Sequence, residues 1–259
     1  MTAPLLALVV FVASQADAPA DRATAAATEA EAVAIRMLVG GLDPRADDRW
    51  TQAARDRIRS QVMTQPLVDD RVSQMKLGPS EERLDAAVAA LASELTRRNS
   101  EATLDQTLVA AGASRIALRN YLRSEMGFAR LLRETVTEKQ IAAEFAAHRA
   151  WYDGTEVDIR QGTPAETAAA AEPPGDDSEL VTLRGLQSAP RPIVVAALAN
   201  EADATRGPIA YPTPDGVRHR LIRVVDRRPG RRSLEDARPL VLGELSRRLR
   251  REIVGGSPR

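Results

Sequence analysis

Two histidines, no cysteine and 36 side-chain carboxylates are the groups from which any chemistry in this chain must be drawn. Without Cys there can be no disulfide framework, thiolate zinc site or cysteine nucleophile. His148 and His219 alone cannot build a histidine-rich metal centre. Glu144 and His148 stand at i, i+4 on one helix face, but two ligands are not a metal site, and an intrahelical pair is the simpler account. Ser80, Thr103, Ser114 and Thr137 each precede a helical run and read as N-caps, since no histidine lies near them to activate a hydroxyl. Trp151 and Tyr152 are candidates for lining a peptide groove; junction packing is the plainer alternative. No G-x-x-x-x-G-K-[ST] loop occurs, so ATP chemistry is not expected, and neither a cofactor nor a metal is called for.

The elements that must position these groups are mostly helical. Trp50, Ala54, Ile58 and Val62 recur at helical spacing, and Pro66 is expected to interrupt that run. A second apolar set, Leu67, Val68, Val72 and Met75, continues to Gly78-Pro79. Ser80 with Glu81 and Glu82 opens the next helix, whose stripe is Leu84, Val88, Leu91 and Leu95. Thr103 to Gln106 and Thr137 to Gln140 are capping boxes in form. Between them Ser114 starts a helix carrying Leu118, Leu122, Met126, Ala129 and Leu132. The last run goes through Ile141, Phe145, His148 and Tyr152 and is closed by Gly154. After Gly154 the pattern changes to short strands: Thr155 to Arg160 alternates, and Leu180 to Leu183 is a second candidate. Residues 162–178 are a low-complexity loop with one turn of Ala helix. A short apolar helix spans Ile193 to Leu198. Gly207-Pro208-Ile209 and Arg220 to Val225 read as closing strands, joined by turn-rich residues Tyr211 to Gly216. Leu234 to Val254 is helical again, with Leu240, Leu245 and Leu249 as its apolar positions.

Composition agrees with this reading. The 259 residues are 44% apolar and 28% charged but only 3% aromatic, a balance that can bury a core and leans towards helix. Net charge is zero, yet Asp215 to Arg259 holds 13 Arg against 6 acids, a local excess of +7. No aromatic is interleaved with that basic tail, so nucleic acid is not an expected partner. Leu5 to Val12 is an uncharged apolar run too short to span a bilayer, followed by small residues at Ser14, Ala16 and Ala18. Residues 1–18 are therefore read as an export signal, either cleaved or kept as an anchor, with no membrane span after cleavage and with 19–49 a spacer and first segment.

The runs "RIRSQVMTQPLVDDRVSQMKLGPSEERLDAAVAALASEL", "TLDQTLVAAGASRIALRNYLRSEM" and "VTEKQIAAEFAAHRAWY" resemble the N-terminal module of SurA-type periplasmic chaperones. "EVDIRQ" lies where those proteins enter a parvulin-type (PpiC) peptidyl-prolyl isomerase domain. "RGPIAYPTPDGVRHRLIRVVDRRPG" is similar to that domain's closing strands, and "SLEDARPLVLGELSRRLRREI" to the family's C-terminal helix. The resemblance implies an α+β, mostly helical fold: a helical module over 50–154, a reduced parvulin-like α/β insert over 155–230, and a C-terminal helix over 231–259 returning to complete the helical module.

The departures concern the catalytic positions. Parvulin domains carry a His in the first strand, where this chain has Gln161, and a second His opening the last strand, where it has Arg220. His219 comes one residue early, which in a strand places it on the opposite face unless a bulge intervenes. The family's Asp or Cys and its Gly-Asp-Leu-Gly stretch have no counterpart, because Gly162 to Asp177 is short and polar. The resemblance thus implies an exported, periplasmic, ATP-independent chaperone for unfolded or nascent exported polypeptides, its parvulin-like domain without isomerase activity. The alternatives are an active isomerase, for which His219 is the candidate catalytic residue, and a structural assembly or scaffold protein.

Overall fold

A computed structural model describes residues 28–98, 103–185 and 191–256. The export signal read over 1–18, residues 19–27 of the spacer and Pro190 lie outside the described residues, as does the side chain of Leu95. The chain divides into two units, Val136–Arg247 and the residues on either side of it.

The unit up to Thr135 begins with α1 (Glu29–Val39), in a stretch read from sequence as spacer. A Thr28/Glu31 capping box opens it, and Ile35 and Met37 are wholly buried. Helix α2 (Arg49–Gln74) starts at the N-cap Asp48, which accepts from the Thr51 amide at 2.8 Å. It runs unbroken through Pro66, correcting the expected interruption. The proline ring is exposed, while Gln65, Val68 and Val72 are buried on the other side and hold both halves in one helix. Helices α3 (Glu81–Arg98), α4 (Leu104–Ala110, capped by Thr103 and Gln106) and α5 (Arg115–Thr135) complete the order. Ile35, Leu84, Leu91, Leu108, Leu118 and Met126 form one core. Where α2 meets α5, Gly127 leaves room for Val72: a Cβ there would lie 2.6 Å from its Cγ1.

In the unit Val136–Arg247, α6 (Glu138–Ala147) opens with the Thr137/Gln140 capping box. The expected run to Tyr152 is instead broken at His148, whose backbone (φ −129, ψ 39) leaves the helical region before α7 (Arg149–Tyr152). Four strands follow: β1 (Glu156–Gln161), β2 (Leu180–Arg184), β3 (Thr205–Thr213) and β4 (Gly216–Arg228), in the order β2-β1-β4-β3 with every pair antiparallel. The segment read as a turn from Tyr211 to Gly216 is mostly strand. Only Pro214 and Asp215 lie between β3 and β4, and Gly216 supplies the positive φ that the hairpin requires. The Ala turn in the loop is a short 3₁₀ helix, Ala168–Ala170. Helix α8 (Arg191–Leu198) lays Ile193, Val194, Ala197 and Leu198 against Val157, Ile159, Leu183, Ile222 and Val224 of the sheet.

The last helix, α9 (Leu234–Gly255), contributes to two cores in turn. Ala237, Val241 and Leu245 pack with Ile141 and Tyr152. One turn further on, Leu249 and Ile253 pack with Val68, Phe128 and Leu131. There Arg250 donates to both carboxylate oxygens of Glu125 at 2.9 Å and lies 3.8 Å above the Phe128 ring. Among the described residues no helix is long and apolar enough to cross a membrane.

Candidate functional site

Strand alternation decides which side chains meet on the core side of the sheet. Along β1, Val157 and Ile159 are buried against α8, and Gln161 is the next residue on that face. Along β4, Val224 and Ile222 are buried, and Arg220 is next in the same sense. Since β1 and β4 pair antiparallel, with Gln161 opposite Ile222, the two polar residues arrive at the same end of the sheet. The Arg220 guanidinium donates through Nη1 to the Gln161 side-chain oxygen and lies 5.4 Å from the ring centroid of Tyr211 on β3. Tyr211 is buried, and sequence reading missed it because its Pro-rich surroundings resemble a turn. Its register against Arg218, two residues from Arg220, places it on this face.

His219 does not join this group. The β1–β4 register does shift, between Asp158 and Ile159, so that Val225 is the extra residue. That bulge lies beyond Val224, whereas β4 pairs with β3 without a break from Arg220 to Gly216. His219 therefore points away from the core face, and its backbone exchanges two hydrogen bonds of 2.8 Å with Ala165. Its Nδ1 is buried without a hydrogen-bond partner, as is Nε of Arg220. Each such buried orphan costs on the order of 1–3 kcal/mol.

The far face of the sheet is held by charge. Asp158 accepts from Arg228 at 2.7 and 3.0 Å and from Thr182 at 2.6 Å, contacts that hold its carboxyl below the usual Asp value. The shortened loop after β1 is pinned there: Arg223 pairs with Asp176 at 2.5 Å, and Arg160 donates to the Ser178 carbonyl. Gly162 permits that return, since a Cβ at this position would lie 2.1 Å from the Glu172 carbonyl oxygen.

Trp151 and Tyr152 part company. Tyr152 is wholly buried and donates its hydroxyl to Glu144 at 2.9 Å, a core role, whereas Trp151 is half-buried and stacks on His148 at 4.1 Å. His148 Nε2 is 3.9 Å from Glu144, and no group of three or more acidic or histidine residues able to hold a metal occurs among the described residues.

No family model matches the chain, and no curated protein does. Among solved structures it is similar to the peptidylprolyl isomerase PrsA of Bacillus anthracis, at 11% identity over 76% of this chain and 93% of that one, with a TM-score of 0.42. The foldase PrsA of Streptococcus pneumoniae is 11% identical over 77% of this chain and 82% of its own, with a TM-score of 0.34. A third is one of two structurally related SurA-like chaperones of Campylobacter jejuni, at 14% identity over 92% and 93% of the two chains and a TM-score of 0.24. The described residues of this chain form an α+β fold, mostly helical with one small antiparallel sheet.

Proposed function

We propose that the protein is an exported, ATP-independent chaperone that binds non-native polypeptides, and that its parvulin-like sheet no longer catalyses prolyl isomerisation. The observation that carries this reading is the contact between Gln161 and Arg220. They occupy the two positions at which the resemblance expects histidines. Rotation about a peptide bond must cross a barrier of about 18–20 kcal/mol. An amide does not titrate and a guanidinium stays protonated, so neither can exchange a proton near neutral pH as an imidazole can.

Binding of unfolded chains needs apolar contact rather than a titrating group. Helix α2 offers it: Trp50, Met63 and Leu67 are 73%, 65% and 47% exposed, and Met63 and Leu67 are neighbours at i, i+4. Flexible Met side chains adapt to varied partners. Export is supported by the apolar run Leu5 to Val12 and the small residues after it.

Proline-limited refolding of a model protein is the test, because the uncatalysed step takes tens to hundreds of seconds. At catalytic amounts the protein should leave that rate unchanged. At stoichiometric amounts it should suppress aggregation and raise the refolding yield. Acceleration would overturn the loss of catalysis, and failure to protect any unfolded client would overturn the chaperone assignment.

A further inference from the structure

A cleft of about 380 Å³ opens between α1, α2 and α5, away from the sheet. Two opposite charges line it, Arg36 from α1 and Asp69 from α2, both partly buried. Neither has an ion-pair partner among the described residues. Arg36 lies 5.2 Å from the ring centroid of Tyr121 and donates to the Ala32 carbonyl and to Gln65 Oε1, each at 3.2 Å. Asp69 accepts from Gln65 Nε2 and from the Ser124 hydroxyl, both at 3.0 Å. With only neutral groups bonded to them, burial raises the Asp69 carboxyl above the ordinary Asp value and lowers Arg36. The other arginines nearby are already matched. Arg123 on the same lining pairs with Glu81 at 2.9 Å, and Arg250, which reaches Gln65 Oε1 at 3.3 Å, has its carboxylate in Glu125.

Gln65 thus spans the two charges with a single carboxamide, its oxygen towards Arg36 and its nitrogen towards Asp69. The gap between cation and anion is one carboxamide wide. Arg36 and Asp69 each make two hydrogen bonds, fewer than a guanidinium and a carboxylate can form, so both retain capacity for a second such group. A primary carboxamide carries its oxygen and one N–H along the same edge. A trans peptide bond points its C=O and N–H in opposite directions and cannot engage both charges at once. Val62, Pro66 and Ala117 give the cleft apolar walls against which a methylene stem can lie. We propose that this cleft recognises the side-chain carboxamide of Gln or Asn in a bound polypeptide, Arg36 donating to its oxygen and Asp69 accepting from its nitrogen. This rests on the reading of the protein as a polypeptide binder and names the side-chain chemistry that one cleft of it selects.

The test uses the full chain, isotopically labelled, and the N-acetyl, N-methylamide derivatives of glutamine, asparagine, glutamate and methionine, whose caps add no primary carboxamide. Glutamine or asparagine should shift the Nε–H resonance of Arg36. The better of the two should bind about tenfold tighter than methionine, as hydrogen bonds to charged groups give at partly exposed sites. Methionine offers a similar length and the same backbone amides, so it reads the contribution of the carboxamide alone. Asp69→Asn, which keeps the shape and removes the charge, should abolish most of that preference. Ala32→Leu, which leaves both charges in place and crowds the cleft, should weaken the same probe. A response confined to glutamine or to asparagine sets the stem length that the cleft takes. Glutamate binding as tightly as glutamine would mean that Arg36 acts without Asp69 and would overturn the proposal. Equal binding of methionine, a preference that survives in a folded Asp69→Asn variant, or affinity unchanged by Ala32→Leu would do the same, and each would leave the chaperone reading intact. A carboxamide preference in a protein that protects no unfolded client would instead overturn the chaperone reading and leave the chemistry of the cleft standing.

Discussion

Arg220 donates a hydrogen bond to Gln161 across the central pair of strands, so the two residues that stand at the expected histidine positions are bonded to each other. The pair is half-exposed, which reduces the strength of a hydrogen bond with one charged member to about 1 kcal/mol. A double-mutant cycle on Gln161→Ala and Arg220→Ala, read by urea unfolding, should therefore return a coupling of about 0.5–1.5 kcal/mol. Strict additivity would mean that the contact contributes nothing.

Gly127 permits the close approach of α5 to α2. Replacing it with Ala gains about 1 kcal/mol of helix propensity but forces a methyl group against Val72 Cγ1. Val is stiff at χ1, and overpacking of this kind costs about 1–3 kcal/mol. Gly127→Ala should lower the unfolding free energy by up to about 2 kcal/mol. In a Val72→Ala background the same change should be neutral or stabilising. A Gly127→Ala protein more stable than the parent would refute the steric argument.

Much of the helical architecture was legible because its signals are local. The capping boxes at Thr103 and Thr137, and the buried positions Leu84, Leu118 and Ile141, follow from spacing alone. Helix α1 was not, although Thr28 and Glu31 form the same box, because the Ala-rich residues around it gave no clear stripe. Pro66 misled for a different reason. Proline removes one amide donor wherever it stands, but whether the helix survives depends on burial either side of it, a tertiary fact. At the candidate site, resemblance identified Gln161 and Arg220 individually. Their mutual contact and the participation of Tyr211 depend on the order β2-β1-β4-β3, which a single sequence does not carry.

Glu244 on α9 is buried and accepts from Arg191 at 2.5 Å and from Arg247 at 2.7 Å. Burial alone would raise its pKa, but the hydrogen bonds from Arg247 and Arg191 outweigh that effect and hold it below the ordinary Glu value. A lowered folded-state pKa means stability that is present above the unfolded value and is lost as pH falls through the folded one. Glu244→Gln should cost about 1–3 kcal/mol at pH 7, the lower part of the range for a broken buried pair because both arginines are partly exposed. The gap between variant and parent should narrow below about pH 4, where the carboxylate is being protonated anyway. A gap that stays constant down to pH 2 would show that ionisation of Glu244 is not its source.

His219 bears on whether any imidazole chemistry survives. Its ring lies on the face away from Gln161, Arg220 and Tyr211, and its Nδ1 is buried without a partner, while its backbone bridge to Ala165 does not depend on the side chain. Replacing a buried polar atom that has no partner by an apolar group of similar size removes a desolvation cost of about 1–3 kcal/mol and leaves some misfit in shape. His219→Leu should therefore leave stability unchanged or raise it by up to about 1 kcal/mol. The variant should protect unfolded clients as the parent does and leave proline-limited refolding at the parent rate. If it instead slowed a refolding step that the parent accelerates, His219 would be acting in catalysis, and the alternation of β4 that turns it away from Arg220 would have to be relaxed when polypeptide binds.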